Sequence, residues 1–475
     1  MTQAIAAPAR AVAAPLPEAL LSGIGENVYR CYQCSRCSSG CPLADRFDWT
    51  PNQIMRGLQL NDARVLETRT VWLCANCQTC TTRCPQEIDV TGVMDALRIE
   101  ATRRGIPPAI PEIARFNALF MGFVRWFGRI PELLFILVYN LLERRPFRDL
   151  DMGLRLMRRG RLKPQLHFAR PPRVVARLAD TKNKVAYFPG CAAQSSAAEY
   201  DRTARAVAEA LGLELIEPPG WTCCGASAAH ATDAALALRL PLRTLSTIEK
   251  MGLDTVTSPC SNCFARLKAA EVAAAHDPAA GREMEAVLGE AYRGAVRVQH
   301  LLDTLLDRVS LAEIERRVKR PLRELRVACY YGCLITRPSR VTGAEHAEYP
   351  LKMDHLVRAL GAESVEWSGK TDCCGGSLSL TQTSLALEMS RKVLDNARAC
   401  GAEAVVTMCP LCHMNLDARQ RALHLDRELP ILHATQLMLL AFGRGADEAL
   451  LHKNLVDPRP LLGSKRLLDP PAGSA

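Results

Sequence analysis

Residues 220–226 read GWTCCGA, and residues 371–377 read TDCCGGS. Both stretches place two cysteines side by side before a glycine, although neighbouring side chains normally diverge. A repeated pair of adjacent thiols indicates a site that binds both sulfur atoms. The two copies predict that the surrounding chain is duplicated.

The duplication covers the second half of the chain. VAYFPGC at 185–191 matches VACYYGC at 327–333, and MGLDTVTSPCSNC at 251–263 matches CGAEAVVTMCPLC at 400–412. Each copy contributes one cysteine, the adjacent pair and a C-x2-C pair. The first five-cysteine set is Cys191, Cys223, Cys224, Cys260 and Cys263, and the second is Cys333, Cys373, Cys374, Cys409 and Cys412.

Local signals place these cysteines at one edge of a parallel sheet. KVAYFPG at 184–190 is a short apolar run ended by Pro-Gly, which predicts a strand that presents Cys191 at its C-terminal end. The segment 198–212 predicts a helix that stops at a glycine, and 213–218 and 253–259 predict further strands. Strand, helix and strand in succession predict an α/β repeat, whose site lies at the carboxyl edge of the sheet.

Eight further cysteines lie near the N-terminus in two runs of identical spacing. CYQCSRCSSGCP at 31–42 and CANCQTCTTRCP at 74–85 fit the bacterial-ferredoxin run for two four-iron clusters, in which the fourth cysteine ligates the neighbouring cluster. Zinc ribbons use separate C-x2-C pairs and do not fit these runs. The spacing predicts two cubane [4Fe-4S] sites, Cys31, Cys34, Cys37 and Cys84 in one, and Cys74, Cys77, Cys80 and Cys41 in the other.

Five thiolates exceed the four cysteine positions of a cubane cluster, so each five-cysteine set predicts a cluster of another shape. Gly225 and Gly375 would supply backbone freedom and room beside inorganic sulfur. Disulfides and zinc are the alternatives for these ten cysteines. Cys329 and Cys400 have no cysteine counterpart in the other copy, and we interpret both as core residues.

Two histidines lie close to the cysteine motifs. His413 follows the last C-x2-C pair directly, where it would be able to deliver protons, and His230 lies six residues after the first adjacent pair. A lone histidine is more often structural or solvent-facing, and we interpret both residues in that way. No glycine-rich nucleotide loop follows a strand, so the sequence indicates no flavin or nicotinamide site.

Composition limits which cell compartment and which kinds of partner we expect. The chain has 475 residues, 20 cysteines and a net charge of +10. It has neither a signal-peptide pattern nor an apolar segment long enough to span a membrane, which predicts a cytoplasmic protein with reduced, metal-binding cysteines. The charge clusters between Arg144 and Arg177, which indicates a solvated connector or a docking site for an acidic partner. Aromatic residues make up only 5%, so we expect no nucleic acid partner and at most peripheral membrane contact.

The fold class predicted is an α-helical ferredoxin-like domain followed by a duplicated α/β pair with pseudo-twofold symmetry. The expected segments are a flexible N-terminus (1–22), a two-cubane domain (23–105), a helical basic connector (106–180), the first repeat (181–320), the second repeat (321–445) and a C-terminal tail (446–475).

These motifs resemble those of heterodisulfide reductase. Residues 23–165, with the two ferredoxin-like runs, resemble its two-cubane subunit, and residues 182–445 resemble its CCG-domain subunit, the carrier of two CCG domains. The matching stretches in the second part are YFPGC, WTCCGA, YYGCLITRPS, CPLCHMNLD and HATQLMLLAFG. The resemblance implies a fusion of the two subunits.

The resemblance also implies a function. In that family each complete CCG set binds a non-cubane [4Fe-4S] cluster, and the substrate disulfide is cleaved to two thiols between the two clusters. Electrons arrive through the cubanes from the flavoprotein subunit of the complex. Both sets are intact here, which makes their ten cysteines the expected catalytic residues of an oxidoreductase that reduces a disulfide or, in reverse, oxidises thiols or sulfur compounds within a complex. At His413 the family usually has a different polar residue, so no role is transferred to it.

Two other functions fit the motifs. CCG-containing subunits also serve as non-catalytic iron–sulfur relays of flavin-dependent dehydrogenases, of the glycolate oxidase or anaerobic glycerol-3-phosphate dehydrogenase type. Such a relay would pass electrons onward to an acceptor such as quinone. A zinc-stabilised interaction scaffold without a redox role is the third hypothesis.

Overall fold

The structure is a computed structural model that describes residues 15–162, 168–170, 172, 174–276, 285 and 292–468. Residues 1–14 of the expected flexible N-terminus, part of the connector and the end of the tail lie outside the described residues. Leu16–Ile24 is a helix, because Leu16 and Leu20 are buried in the core of the cysteine-rich N-terminal part. The expectation of a flexible segment up to residue 22 is therefore wrong for the residues from Leu16 onward.

Short helices surround the two N-terminal cysteine runs. The longest, Val90–Arg103, begins after Asp89, whose carboxylate accepts a hydrogen bond from the Gly92 N–H. It ends just before Gly105, which has a φ of 72°. The helices of this part are Leu16–Ile24, Arg36–Ser39, Pro51–Gln59, Arg69–Leu73, Thr79–Thr82 and Val90–Arg103, with 3-10 turns at Val28–Arg30, Ala44–Arg46 and Ala63–Glu67.

Three helices, Pro111–Phe127, Glu132–Leu142 and Leu150–Arg158, follow the N-terminal part. The first two pack through aromatic side chains, and the rings of Phe116 and Phe135 meet edge to face with centroids 5.2 Å apart. No helix among the described residues is both long and apolar enough to cross a membrane.

The second half of the chain contains two parallel sheets of four strands. β1 (Lys184–Tyr187), β2 (Glu214–Ile216), β3 (Thr255–Ser258) and β4 (Arg297–His300) form the first, and β5 (Arg326–Tyr330), β6 (Glu363–Ser364), β7 (Ala404–Thr407) and β8 (Ile431–His433) form the second. Their orders are β2-β1-β3-β4 and β6-β5-β7-β8, and every pairing is parallel. The two sheets have the same order, as the duplication predicts.

Helices cover both sheets, and the inner strands β1, β3, β5 and β7 are buried except for the first residues of β1 and β5. Those of the first repeat are Ala198–Ala210, Ala234–Met251, Ser261–His276, Leu301–Val309 and Leu311–Arg316. Those of the second repeat and the tail are Ser339–Thr342, Lys352–Ala359, Thr383–Ala399, Pro410–Ala418, Gln420–Leu423, Ala434–Ala441 and Arg459–Ser464. Short 3-10 turns lie at Ala192–Gln194, Ala229–Ala231, Ser368–Thr371, Gly376–Leu378 and Leu451–Lys453.

The two repeats share one hydrophobic core. Tyr200 of the first repeat and Leu437 of the second belong to the same buried cluster. The Tyr200 hydroxyl donates to the Met408 carbonyl at 3.0 Å, and the Tyr200 ring stacks on His433 with centroids 3.9 Å apart. Because Met408 immediately precedes Cys409, this shared core holds the cysteine edge of the second sheet against the first repeat.

A buried arginine fixes the end of the three-helix segment to both repeats. Arg161 is fully buried and lies 2.9 Å from the Glu199 carboxylate and 3.1 Å from the Asp417 carboxylate. Its Nε also donates to the Ser196 carbonyl. One guanidinium therefore compensates two buried acids from different repeats.

We expect Arg161→Ala to destabilise the fold by about 3–5 kcal/mol, because it removes the cation beside two buried carboxylates. The measurement is the melting temperature of the anaerobically prepared protein. The control Arg64→Ala removes a pair with Asp62 in which the arginine is 74% exposed, and it should leave the melting temperature nearly unchanged because water screens such a pair. Equal melting temperatures for the two variants would contradict the role of Arg161.

Candidate iron–sulfur centres

The eight N-terminal cysteines line two separate cavities. One is lined by Cys41, Cys74, Cys77 and Cys80, and the other by Cys31, Cys34, Cys37 and Cys84. Each run contributes three cysteines to one cavity and its fourth to the other. The structure thus brings these residues together in the groups that the spacing predicts.

The backbone of both runs turns in the same way. Gln33 and Ser35 in the first run have φ angles of 63° and 62°, and their counterparts Asn76 and Gln78 have angles of 54° and 63°. Residues other than glycine rarely adopt this left-handed region. Two equivalent pairs of such residues indicate a loop geometry that directs the first three sulfur atoms of each run toward one point.

The first five-cysteine set is one contiguous group of thiols. Cys191 follows β1 and Cys260 follows β3, so both lie at the carboxyl edge of the sheet. Cys224 Sγ lies 3.3 Å from Cys263 Sγ. The Cys223 side chain is a close neighbour of Cys191 and Cys224, and Cys263 is a close neighbour of Cys260.

The second set repeats this arrangement. Cys333 follows β5 and Cys409 follows β7. Cys374 Sγ lies 3.8 Å from Cys412 Sγ. The Cys373 side chain is a close neighbour of Cys333, and Cys412 is a close neighbour of Cys409. Equivalent residues therefore make equivalent contacts in the two repeats.

The two sets meet at their C-x2-C pairs. The Cys260 and Cys409 side chains are close neighbours across the boundary between the repeats. The Ser261 hydroxyl donates to Cys409 Sγ at 2.7 Å. The residue equivalent to Ser261 in the second repeat is Pro410, which has no hydroxyl, so the contact exists on one side only.

The two five-cysteine sets form a row of neighbouring thiols, and this row continues into the N-terminal part. The Cys77 side chain is a close neighbour of Cys373 in the second set. The Ser377 hydroxyl donates to the Ala75 carbonyl at 3.1 Å, and the Arg337 guanidinium donates to the Thr79 hydroxyl at 2.6 Å. These contacts place the second set next to one N-terminal cavity and the first set at the far end of the row.

The donors present fit iron–sulfur clusters. Burial raises the pKa of the Cys41 and Cys80 thiols, and it raises the pKa of Cys74 to about 11. A buried thiolate requires a neighbouring cation, which a metal cluster supplies. All twenty cysteines, each of them described, are free thiols, so the structure contains none of the disulfides considered as an alternative. The groups of five exceed the four ligands of tetrahedral zinc, and the groups of four come from runs with ferredoxin spacing, so both kinds of group suit iron–sulfur clusters.

Two glycines that were not predicted to belong to the site lie against the cysteines. Gly190 and Gly332, each just before the first cysteine of a set, have φ angles of 78° and 70°. An added methyl group would lie 2.8 Å from Cys263 Sγ at Gly190 and 3.0 Å from Cys412 Sγ at Gly332. The repeated Gly-Cys in VAYFPGC and VACYYGC was the signal that marks them.

Gly225 and Gly375 also lie where helical turns approach closely. Both have positive φ angles, 84° and 77°, so the predicted backbone freedom is present. An added methyl group would meet Ala229 at the first position and Ala386 at the second, rather than a cysteine sulfur. These glycines permit close packing of helices behind the adjacent cysteine pairs.

The two cysteines outside the sets differ. Cys329 is buried in β5 and lies 3.5 Å from the Ser364 hydroxyl, as expected of a core residue. Cys400 is exposed, and its thiol lies 3.6 Å from the Asn396 side-chain oxygen. The interpretation of Cys400 as a core residue is wrong, because it follows the last turn of the helix Thr383–Ala399 at the surface.

His413 is a structural residue. It is buried, its Nε2 contacts the Ile431 carbonyl at 2.9 Å, and burial lowers its pKa. The ligand atoms of Glu199, His413 and His433 lie within 4.8 Å of one another, but the two imidazoles stack at 4.0 Å with planes 13° apart. Lone pairs in parallel planes do not converge on one ion, and Arg161 already pairs with Glu199. This histidine cluster therefore makes a poor metal site.

His230 connects the first repeat to the N-terminal part. Its Nδ1 lies 2.7 Å from the Asp95 carboxylate, which also pairs with Arg98 at 3.0 Å. Arg98 donates to the Cys74 carbonyl at 2.8 Å. The histidine thus positions the loop of the second cysteine run, and neither its sequence neighbours nor its spacing indicated this partner.

Eighteen cysteines, arranged in two ferredoxin-like runs and two repeated sets, define an iron–sulfur electron-transfer protein. Comparison with protein families agrees. Residues 27–88 match the family described as "4Fe-4S dicluster domain", and residues 185–268 and 327–417 match the family described as "Cysteine-rich domain" (CCG).

Individual relatives cover both halves of the chain. The membrane anchor subunit of the 8-methylmenaquinol:fumarate reductase of Wolinella succinogenes is 35% identical over 59% of this chain and 99% of its own length. Two CoB-CoM heterodisulfide reductase subunits of Methanosarcina acetivorans also match. The one designated B is 30% identical over 58% of this chain and 94% of its own length, and the one designated C is 38% identical over 16% of this chain and 31% of its own length.

The two matching families cover different parts of the chain. The chain belongs to the heterodisulfide reductase family, and it joins a part like the two-cubane subunit to a part like the CCG-domain subunit.

A solved structure shares the fold at low sequence identity. The crystal structure of a hypothetical protein from Helicobacter pylori aligns with a TM-score of 0.56 and 11% identity, over 85% of this chain and 69% of that protein. This similarity supports the architecture alone.

We expect Gly190→Ala and Gly332→Ala each to lower the iron content by about four atoms per chain, because the methyl group displaces a cysteine of one five-cysteine set. Iron per chain after anaerobic reconstitution is the measurement. Gly212→Ala is the matched control, since Gly212 has a φ of 77° but open space around it. It carries the same backbone strain and should keep its iron; an unchanged iron content in Gly190→Ala would contradict the assignment.

Proposed function

We propose that this chain is the iron–sulfur subunit of a heterodisulfide reductase-like oxidoreductase, in which electrons enter at the N-terminal cysteines and reach a disulfide held between the two CCG repeats. The S–S bond takes up two electrons and two protons and yields two thiols; the reverse reaction oxidises thiols. The single observation that supports this proposal most is the contact between Cys260 and Cys409, which joins the two five-cysteine sets.

We assign ligands to four clusters, which supply one-electron transfer when bound. The two cubane clusters would be held by Cys31, Cys34, Cys37 and Cys84, and by Cys41, Cys74, Cys77 and Cys80. The two non-cubane [4Fe-4S] clusters would be held by Cys191, Cys223, Cys224, Cys260 and Cys263, and by Cys333, Cys373, Cys374, Cys409 and Cys412. The cavities and thiol contacts around these groups support the assignment.

The order of the thiols suggests the route of the electrons. Cys77 contacts Cys373, so the second set would receive electrons from the N-terminal part before the first set does. The Cys260–Cys409 contact lies between the two sets, and the disulfide would bind there. Electron transfer between neighbouring sites needs short gaps, and direct contacts between their ligands provide them.

We also propose the organisation of the molecule. The two-cubane domain would span 23–105, the connector 106–180, the first CCG domain 181–320 and the second 321–445, followed by a tail. A pseudo-twofold axis between Cys260 and Cys409 would relate the two CCG domains, and the identical strand order of the two sheets supports it.

The heterodisulfide reductase relatives are named as subunits, which implies partner subunits. We propose a flavoprotein resembling the flavoprotein subunit of heterodisulfide reductase as the electron donor. We place the protein in the cytoplasm, where thiols stay reduced and available to iron. The substrate would be a small disulfide or the corresponding thiols.

A second candidate function is that of a relay without disulfide chemistry. The observation that favours it is the 35% identity to the membrane anchor subunit of a methylmenaquinol:fumarate reductase, over 59% of this chain. In this case the two sets would pass electrons between a quinol and a partner enzyme.

Cys224→Ala together with Cys374→Ala distinguishes the two functions. The measurement uses reduced methyl viologen as donor and the CoB–CoM disulfide or bis(2-hydroxyethyl) disulfide as probe. We expect the double variant to lose disulfide reduction, because one ligand of each set is missing, whereas Cys329→Ala, at a buried cysteine outside the sets, should keep it. Two results together would favour the relay. The unchanged protein would reduce neither probe but would transfer electrons to a quinone analogue, and the double variant would still transfer them in proportion to its iron.

The Ser261 hydroxyl should change the reduction potential of the second-set centre and not that of the first-set centre. Its hydroxyl donates to Cys409 Sγ, and hydrogen bonds to ligand sulfur raise the reduction potential of an iron–sulfur centre. We expect Ser261→Ala to lower the potential of the second-set centre, measured by a redox titration followed by electron paramagnetic resonance. The control Ser377→Ala removes a nearby hydroxyl that donates to the Ala75 carbonyl instead. Identical potentials in the unchanged protein and Ser261→Ala would disprove this effect.

A further inference from the structure

The helix Glu132–Leu142 presents an apolar face to solvent. Its sequence, ELLFILVYNLL, contains one charged residue, Glu132. Phe135 and Tyr139 are buried on one side, whereas Leu137 and Leu141, on the opposite side, are 49% and 63% exposed. The exposed side of a helix in water is normally polar. An apolar exposed side indicates contact with an apolar phase or partner.

The apolar character continues in the neighbouring segments. Leu150 and Leu154 are exposed and lie one turn apart on one face of the helix Leu150–Arg158. Phe147, between the two helices, is 79% exposed, and Trp126, near the end of the helix Pro111–Phe127, is 80% exposed. We define the apolar surface as Trp126, Leu137, Leu141, Phe147, Leu150 and Leu154.

Unpaired positive charges border this surface. Arg144, Arg145 and Arg158 are exposed, and no carboxylate of the described residues lies within ion-pair distance of them. Exposed leucines and aromatic rings with arginines beside them match the boundary of an anionic bilayer, where the apolar side chains enter the acyl region and the guanidiniums meet lipid phosphates. Among the partners that could cover an apolar surface, the positive charge therefore favours a negatively charged lipid bilayer.

We propose that the apolar surface docks this protein on an anionic phospholipid bilayer without crossing it. Leu137 and Leu141 would face the acyl chains, and Arg144 and Arg145 the headgroups. On its inner side the same helix contributes Phe135 to the hydrophobic cluster that contains Cys223. Docking would thus bring the first five-cysteine set to within about one helix diameter, roughly 10 Å, of the bilayer. This placement holds for either direction of electron flow.

Vesicle flotation of the full-length, cluster-loaded protein tests the proposal. We expect binding to phosphatidylcholine vesicles that contain phosphatidylglycerol, and much weaker binding to phosphatidylcholine alone or at high salt. Leu137→Glu with Leu141→Glu should weaken binding by about tenfold or more, because it places carboxylates against the acyl region. Arg144→Gln with Arg145→Gln should weaken binding to the anionic vesicles by roughly tenfold and leave binding to phosphatidylcholine unchanged.

The control for the leucine variants is Leu60→Glu, at a leucine of the N-terminal part that is 64% exposed and outside the apolar surface. It should bind vesicles as the unchanged protein does. Iron content and melting temperature verify that each variant is folded. Three results would overturn the proposal: no binding to anionic vesicles, equal binding by Leu137→Glu with Leu141→Glu, or a homodimer in sedimentation that this double variant dissociates, which would assign the surface to a second copy of the chain.

Discussion

Thiolates are unstable inside a protein unless a cation lies beside them, and this chain buries them in a continuous row. The row begins at the N-terminal cavities, passes from Cys77 to Cys373, crosses between the repeats at Cys409 and Cys260, and ends near Cys223 and Cys191. Without metal, free thiols at these positions would stabilise the fold little more than apolar side chains would. Metal binding explains why so many cysteines occupy one line.

The rest of the fold brings these cysteines together. Parallel strands deliver Cys191, Cys260, Cys333 and Cys409 to the carboxyl edges of the two sheets. Those edges face each other because both repeats contribute to one core, in which Tyr200 reaches the carbonyl of the residue before Cys409. Arg161 then holds the three-helix segment against both repeats. A change in any of these contacts would alter the separation of the two sets.

Regular spacing made much of this arrangement predictable. The ferredoxin-like runs predict the two N-terminal groups because the ligand geometry of a short loop is set locally, and the internal repeat predicts two equivalent sheets. Contacts between segments that are distant in sequence could not be predicted in this way, because no motif or spacing indicates them. The sequence does not reveal that Cys77 meets Cys373, that His230 pairs with Asp95, or that Ser261 reaches Cys409. The exposure of Cys400 could not be predicted either, because burial depends on tertiary packing.

An anomalous difference map at the iron absorption edge, from crystals of the cluster-loaded protein grown without oxygen, tests the central claim most directly. The account predicts four separate iron groups along the row, with the third beside Cys373 and Cys374 and the fourth beside Cys223 and Cys224. Only two groups, confined to the N-terminal cavities, or anomalous signal at the zinc edge instead of the iron edge, would contradict it.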